Sequence, residues 1–428
     1  MKTTRVLEPA YVLPFILVTS LFALWGFAND ITNPMVAAFK NILLISNFES
    51  SLVQAAFYGG YCFMAIPAAL FIKRFSYKAG ILTGLALYAV GCLLFIPSGY
   101  LMAFWAFLAA YFIMTCGLSF LETSANPYVL SMGDPATATR RLNFAQAFNP
   151  LGSLTGMFVA KAAILANLNV ANETERQALR AADPAAFAEM QRADLSVIVG
   201  PYAVLGLVVL GVMVVFALIR LPVTAGEEDR SLNVLPTLRR LARNRHYIEG
   251  VVAQAFYVGV QIMCWTFIIQ YAVNELGLSA ATAQGYNMVA MVIFVSSRFI
   301  CTYLLKYLSP GWLLFGLSIG GGLLVLGTIF LTGMAGLYCL VGVSACMSLM
   351  FPTIYGIALE GLGEDAKLGS AGLIMAIGGG CLMPPMQGWI MDQSFTALSA
   401  TRASFFLPFL CFVVIAIYGL RCRHPREV

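Results

Sequence analysis

Four charged residues stand inside runs of the sequence that are otherwise apolar: Asp30, Glu122, Lys161 and Arg298. The stretch "LWGFANDITNP" holds Asp30 among Asn29, Thr32 and Asn33, and "GLSFLETSANPYV" holds Glu122 with two hydroxyls and Asn126 directly after it. Taking a carboxyl group out of water disfavours its ionised form, which suits Glu122 to carry a proton. The two histidines, His246 and His424, lie in polar segments, so proton handling within the apolar runs falls to the acids. The bases read differently. Lys161 is close enough to the end of its run for the ammonium to reach water along its aliphatic stem. Arg298, in "VIFVSSRFICTYLL", suits a gating or structural role, binding backbone carbonyls or an acid, as well as it suits ligand contact.

Uncharged polar residues follow a helical spacing. In "RLNFAQAFNPLG", Asn143, Gln146 and Asn149 recur every three residues and share one face. In "AQAFYVGVQIMCWTF", Gln254, Tyr257, Gln261 and Trp265 form a stripe, and Asn287 follows in the next apolar run. Amides that donate and accept, set beside aromatic faces, are what a pocket for a polyhydroxylated neutral ring requires. The same amides can also pair with one another between helices. Asp30, Asn33, Asn126, Gln146, Asn149, Tyr257, Gln261, Trp265 and Asn287 are the candidate substrate contacts, with Glu122 and Asp30 the candidate proton-coupling acids.

The elements that position these residues are set by composition. Of 428 residues, 60% are hydrophobic and 11% charged, against about 25% charged in soluble chains. Twelve apolar stretches, each of the roughly 20 residues that cross a bilayer core, begin near Tyr11, Phe48, Ala79, Leu101, Leu142, Leu195, Tyr247, Thr282, Gly311, Leu337, Gly369 and Ser399. The fold class expected is an all-α polytopic membrane protein with twelve transmembrane helices. Core helices of a large soluble enzyme would show polar faces, which these lack. The first run is longer than the h-region of a signal peptide and has no small-residue cleavage site, so it reads as retained. A membrane enzyme would need a cluster of nucleophiles or metal ligands; the lone charges offer none, and no metal or other cofactor is expected.

Arg74, Lys78, Arg141, Arg239, Arg240, Arg243, Arg245 and Arg421 fall on one side if the spans alternate from an internal N-terminus, which places both termini in the cytoplasm. The longest loop of the other side, "NVANETERQALRAADPAAFAEMQRADL", has more acids than arginines. The net charge of +5 is thus a topology signal, and nucleic acid is not an expected partner. The ten cysteines lie almost entirely inside spans and read as small buried hydrophobes.

The longest cytoplasmic connection separates the sixth and seventh spans, giving a six-helix bundle over 1–220, a linker over 221–246 and a second bundle over 247–428. Within the linker, "LPTLRRLARNR" reads as an amphipathic helix with Leu235, Leu238 and Leu241 toward the membrane and arginines toward headgroups. Spans four and ten each carry a proline after a small polar patch, Pro127 and Pro352, the weak symmetry of transporters built from related halves. An echo between "QAAFYGGY" and "AQAFYVGV" links spans that a duplication would not pair, and reads as chance.

In order and spacing, "LWGFANDITNP", "QAAFYGGYCFMAIPAAL", "KRFSYKAGILTG", "GLSFLETSANPYV", "RLNFAQAFNPLG", "LARNRHY" and "FPTIYGIALEGLG" resemble the bacterial fucose/galactose/glucose:proton symporters of the major facilitator superfamily, over nearly the whole chain. The resemblance implies a bacterial inner-membrane, multi-pass monomer with two six-helix bundles around a sugar cavity that opens alternately to each side. It also implies that one proton moves inward with each monosaccharide. L-fucose is the first expectation; glucose, galactose or N-acetylglucosamine by the same mechanism is the alternative, and a sugar sensor that no longer transports is a distant one. Glu122 matches the glutamate of the family's "LET" motif, and Gln146 and Asn149 match cavity residues of span five. Span one departs from the pattern: the family's acid falls on Asn33, and Asp30 occupies an asparagine position. Three residues apart, the two are expected to share a helical face.

Overall fold

The computed structural model describes residues 11–133, 141, 144–146, 148–219, 221–222, 234–304, 307–362, 365–394 and 398–422. Leu142, Asn143, His424 and the side chain of Leu235, all invoked above, lie outside the described residues. The described residues are largely helical. Among them, eleven helices are long and apolar enough to cross a membrane: span one Val12–Leu43, two Asn47–Ile72, three Tyr77–Leu101, four Phe104–Val129, five Phe144–Leu165, six Pro184–Leu218, seven Arg245–Leu276, nine Pro310–Phe330, ten Met334–Leu359, eleven Ala371–Met391 and twelve Ala400–Arg421. The remaining expected span, eight, is the helix Ala280–Leu304. At 25 residues it is long enough to cross a bilayer core.

Helix starts follow local chemistry. Ser76, Asp183, Asn244, Ser309 and Ser399 each accept a hydrogen bond from a first-turn N–H, and Pro184 and Pro310 occupy first-turn positions where no N–H is needed. Span seven ends on Gly277 at φ 65°, a left-handed cap that glycine adopts without penalty. Among the described residues, helices break shortly ahead of a proline in spans one, three, ten and twelve, and the breaks in one and ten lie beside candidate site residues. The first helix of span one ends at Thr32 and the next begins at Met35, because Pro34 lacks the N–H that would bond the Asp30 carbonyl. Asn33 therefore sits in a turn, and the expected common helical face with Asp30 is not formed. Span ten is broken in the same way between Met347 and Met350, ahead of Pro352.

The chain divides into two compact units, 1–32 with 63–170 and 179–232, and 33–62 with 171–178 and 233–428. In the first unit, spans three and four lie in close contact where Gly84, Gly91 and Gly117 face backbone atoms of the partner helix. Span one lies on span five, and a Cβ on Gly26 or Gly152 would overlap the Asn149 or Ala23 carbonyl, respectively. Such small-residue contacts are how helices approach when lipid supplies no hydrophobic drive. Tyr202 stacks on Phe95 at 4.0 Å between ring centres and shares hydrogen bonds with Tyr111 at 2.9 Å and Thr32 at 3.3 Å.

In the second unit span seven is the most enclosed helix, with an almost unbroken buried run from Tyr257 to Ala272. Cys92, Cys116, Cys264, Cys301 and Cys411 are buried. Elsewhere Phe63, Leu207, Leu218, Phe299 and Trp389 present large apolar side chains outward, a surface that suits lipid. The linker helix Val234–Arg243 differs from expectation. Leu241 is 3% exposed and packs with Tyr247, Ala358 and Leu373, and Arg240 grips Asp365 through two hydrogen bonds of 2.8 and 2.6 Å. The Leu241 side of this helix faces its own unit, because a buried leucine cluster and an ion pair were both available there.

Candidate functional site

The polar residues of the first unit converge around span four. Glu122 is 8% exposed, and its Oε2 has no hydrogen-bond partner. Its helix continues through Pro127. One turn on, the Asn126 amide donates to the Glu122 backbone carbonyl at 3.1 Å and accepts from the Gln146 amide at 3.2 Å. Spans four and five are thus joined through two of the predicted amides, with Gln146 itself exposed. Asn149 is committed to packing as well: its Nδ2 donates to the Phe22 carbonyl of span one at 3.3 Å, and Ser153 reaches the Gly26 carbonyl at 3.4 Å.

Asp30 is 4% exposed near the end of its helix, and the Oδ1 of neighbouring Asn29 is buried without a partner. Lys161 is half-buried in a π-helical turn, Ala160–Leu165. Its carbonyl accepts from Ala166 at 3.0 Å, a widening of the kind found where helices adjust to a local demand.

In the second unit the predicted stripe of span seven faces span ten. The Tyr257 hydroxyl donates to the Met347 carbonyl at 3.0 Å, and the Trp265 indole N–H to the Ser344 hydroxyl at 3.1 Å. Asn287 donates to the Trp265 carbonyl and to Gln284 Oε1, both at 3.2 Å, leaving its own Oδ1 without a partner. Gln254 is fully buried with neither amide atom bonded, and Gln261 is half-buried. Arg298 donates from Nε to the Ser348 carbonyl at 3.1 Å and lies over the Phe294 ring at 5.0 Å.

That carbonyl is the one Pro352 cannot bond, since a proline leaves the acceptor four residues earlier without its donor. A guanidinium with five donors and a stacking face fits this position better than an ammonium.

Gln54 was missed by the sequence reading. It is fully buried, and its Nε2 donates both to Asn33 Oδ1 at 3.1 Å and to Thr266 Oγ1 at 2.9 Å. The signal was available, because a glutamine inside an apolar run meets the criterion that singled out Gln254. At the opposite end of the second unit, a cavity of about 270 Å³ lies among Arg245, Glu249, Ser309, Glu360 and Arg421. No predicted site residue lines it.

The buried carboxyls of Asp30 and Glu122, set among the amides of spans one, four and five, suit a carrier's interior. Comparison with known proteins agrees. An L-fucose-proton symporter of Haemophilus influenzae is 56% identical over 97% of this chain and 98% of its own length. One from Escherichia coli is 35% identical over 96% and 93%. The crystal structure of FucP, a Major Facilitator Superfamily transporter in the outward conformation, superposes with a TM-score of 0.73 at 35% identity, covering 97% of this chain and all of that one. The model of the Major Facilitator Superfamily matches residues 18–418, so the chain belongs to that family and is an all-helical membrane transporter, not an enzyme.

Proposed function

We propose that this protein is a proton-coupled symporter of the bacterial inner membrane that imports L-fucose by alternating access. Both termini lie in the cytoplasm, 1–220 and 247–428 supply six spans each, 221–246 connects them, and the protein acts as a monomer. The observation that carries the reading is Glu122, a buried carboxyl with an unspent oxygen in a chain 56% identical to an L-fucose-proton symporter. The distribution of arginine and lysine supports the topology.

Glu122 exchanges the proton. Asp30 binds sugar hydroxyls or links them to protonation, and Asn126, Gln146, Asn149 and Asn33 offer amides to the same end. Gln261 and Asn287, with the rings of Tyr257 and Trp265, are the contacts offered by the second unit. Arg298 keeps span ten in its broken form. An unpaired carboxylate costs several kcal/mol to enclose, and protonation removes that cost. A bound sugar likewise satisfies polar groups that would otherwise be enclosed bare. Coupling follows because the bundles rearrange readily only when proton and sugar are both bound, or neither is.

The test is counterflow in proteoliposomes with labelled L-fucose, D-glucose, D-galactose and N-acetylglucosamine. L-fucose should exchange fastest by at least tenfold. A panel led by another sugar overturns the substrate assignment.

A further inference from the structure

Within the second unit, residues 33–62 lie against spans seven and eleven along a seam with polar fasteners at two depths. At its rim, the Asp392 carboxylate accepts from the Asn47 and Phe48 backbone N–H groups at 2.9 and 2.8 Å and from the Asn47 side chain at 2.7 Å. It thereby caps the start of span two, where the helix dipole favours an anion. Below the rim the seam is closely fitted: a Cβ on Gly388 would lie 2.5 Å from the Asn47 carbonyl oxygen and 2.8 Å from Ser51 Oγ, and one on Gly380 2.8 Å from the Tyr58 ring.

Deeper still is Gln54. Both N–H bonds of its amide are spent, one on Asn33 in the span-one turn and one on Thr266 of span seven. Its Oε1 is buried without a partner, as are both amide atoms of Gln270, one turn beyond Thr266 on the same helix. So many polar atoms enclosed with so few bonds make an expensive closed state, one that water or a polyol relieves when the seam parts.

We propose that Gln54 is a positioning residue for transport, a clamp that holds Asn33 to Thr266 while the seam is shut and yields the Asn33 oxygen to a sugar hydroxyl when the seam opens. This deepens the symporter reading above and rests on it for the identity of the sugar and for the seam facing the periplasm. The consequence is a population effect. With the clamp removed, the open form of the seam is more populated, and ligand affinity for that form is no longer reduced by its rarity. Net transport slows, because the seam must also close.

The experiment uses full-length protein with a reporter thiol, Ser51→Cys, placed beside Gly388 and treated with a membrane-impermeant maleimide, with native cysteine labelling subtracted. An interhelical hydrogen bond in a membrane is worth about 0.6 kcal/mol, so Gln54→Leu, which loses two, should raise the labelling rate about eightfold, and Thr266→Val, which loses one, about threefold. In the same variants the apparent Kd for L-fucose should fall while proton-driven uptake falls with it. A purely structural role would instead raise Kd or lower the yield of folded protein. Unchanged labelling in Thr266→Val, or a raised Kd at unchanged labelling, overturns the clamp. Because labelling needs no sugar, a parent protein that labels as described but fails to bind L-fucose refutes only the substrate assignment.

Discussion

Replacing Glu122 by glutamine removes the one titratable oxygen pair of span four and keeps its shape. The variant should fold. Oε2 makes no hydrogen bond, so the new amide enters a site where one polar group is already unpaired, at a cost of about 1–3 kcal/mol, no more than an enclosed carboxylate would cost. What changes is coupling. A neutral sugar carried with one proton moves one charge, and a membrane potential of about 100 mV drives that charge with about 2.3 kcal/mol, enough for roughly fifty-fold accumulation. In proteoliposomes with such a diffusion potential and no pH gradient, the parent should approach that ratio of labelled L-fucose and Glu122→Gln should stop near unity. Exchange of internal for external sugar, which releases no net proton, should persist in the variant. Accumulation retained near fifty-fold would refute the reasoning and pass the coupling role to Asp30. Loss of exchange from a folded variant would refute it in another way, by making Glu122 necessary for the sugar itself.

Two further outcomes concern packing and pH. Gly152→Ala places a methyl on the Ala23 carbonyl and should destabilise detergent-solubilised protein by about 1–3 kcal/mol, whereas Gly211→Ala, with nothing within 4 Å, should be neutral; equal thermal shifts for the two would show that spans one and five are not in the contact described. Hydrogen bonding from Arg240 holds the Asp365 carboxyl below its ordinary value. A depressed acid stabilises the folded form at every pH above its unfolded value of about 3.9 and loses that contribution as pH falls through its folded value. Docking of helix Val234–Arg243, read by protease cleavage at its arginines, should therefore be constant from neutral pH to about 4 and loosen only in stronger acid. Asp365→Asn should be equally susceptible at every pH.

Much of the interior was legible in the sequence, because charge in an apolar run has a cost that few positions bear without a reason. Asp30 and Glu122, singled out on that ground, are 4% and 8% exposed, and the span-four and span-five amides Asn126 and Gln146 do meet. The failures also have physical causes. Helical spacing placed Asp30 and Asn33 on one face, but Pro34 overrides spacing by withholding a donor. Leu241 was assigned to lipid by amphipathicity alone, which says that a face is apolar and not what covers it. Tyr257 and Trp265 spend their donors on span ten, so only their rings remain to meet a ligand; residue type cannot tell a donor facing a ligand from one facing a neighbouring helix. Gln54 met the criterion that singled out Gln254, but "QAAFYGGY" was set aside as a chance echo of "AQAFYVGV".

The proline breaks of spans one and ten carry the deepest connection between sequence and mechanism. Each frees a carbonyl inside a protein that has few waters to offer, and an enclosed carbonyl without a donor is costly. In span ten the debt is met from other helices, with Tyr257 on Met347 and Arg298 on Ser348. Arg298 thus has a backbone acceptor and a ring face within its own unit. In span one the break leaves Asn33 in a turn, and its side chain, not its helix, decides what it binds; in the closed seam that partner is Gln54. A helix broken beside its binding residue can exchange such partners at little cost to the rest of the span, because the hydrogen bonds on either side of the break are already independent. It follows that restoring the helix should be harmful even though it adds a bond. Asn33 would be drawn onto the face it shares by spacing with Asp30, and the Gln54 bond that the turn permits would be lost.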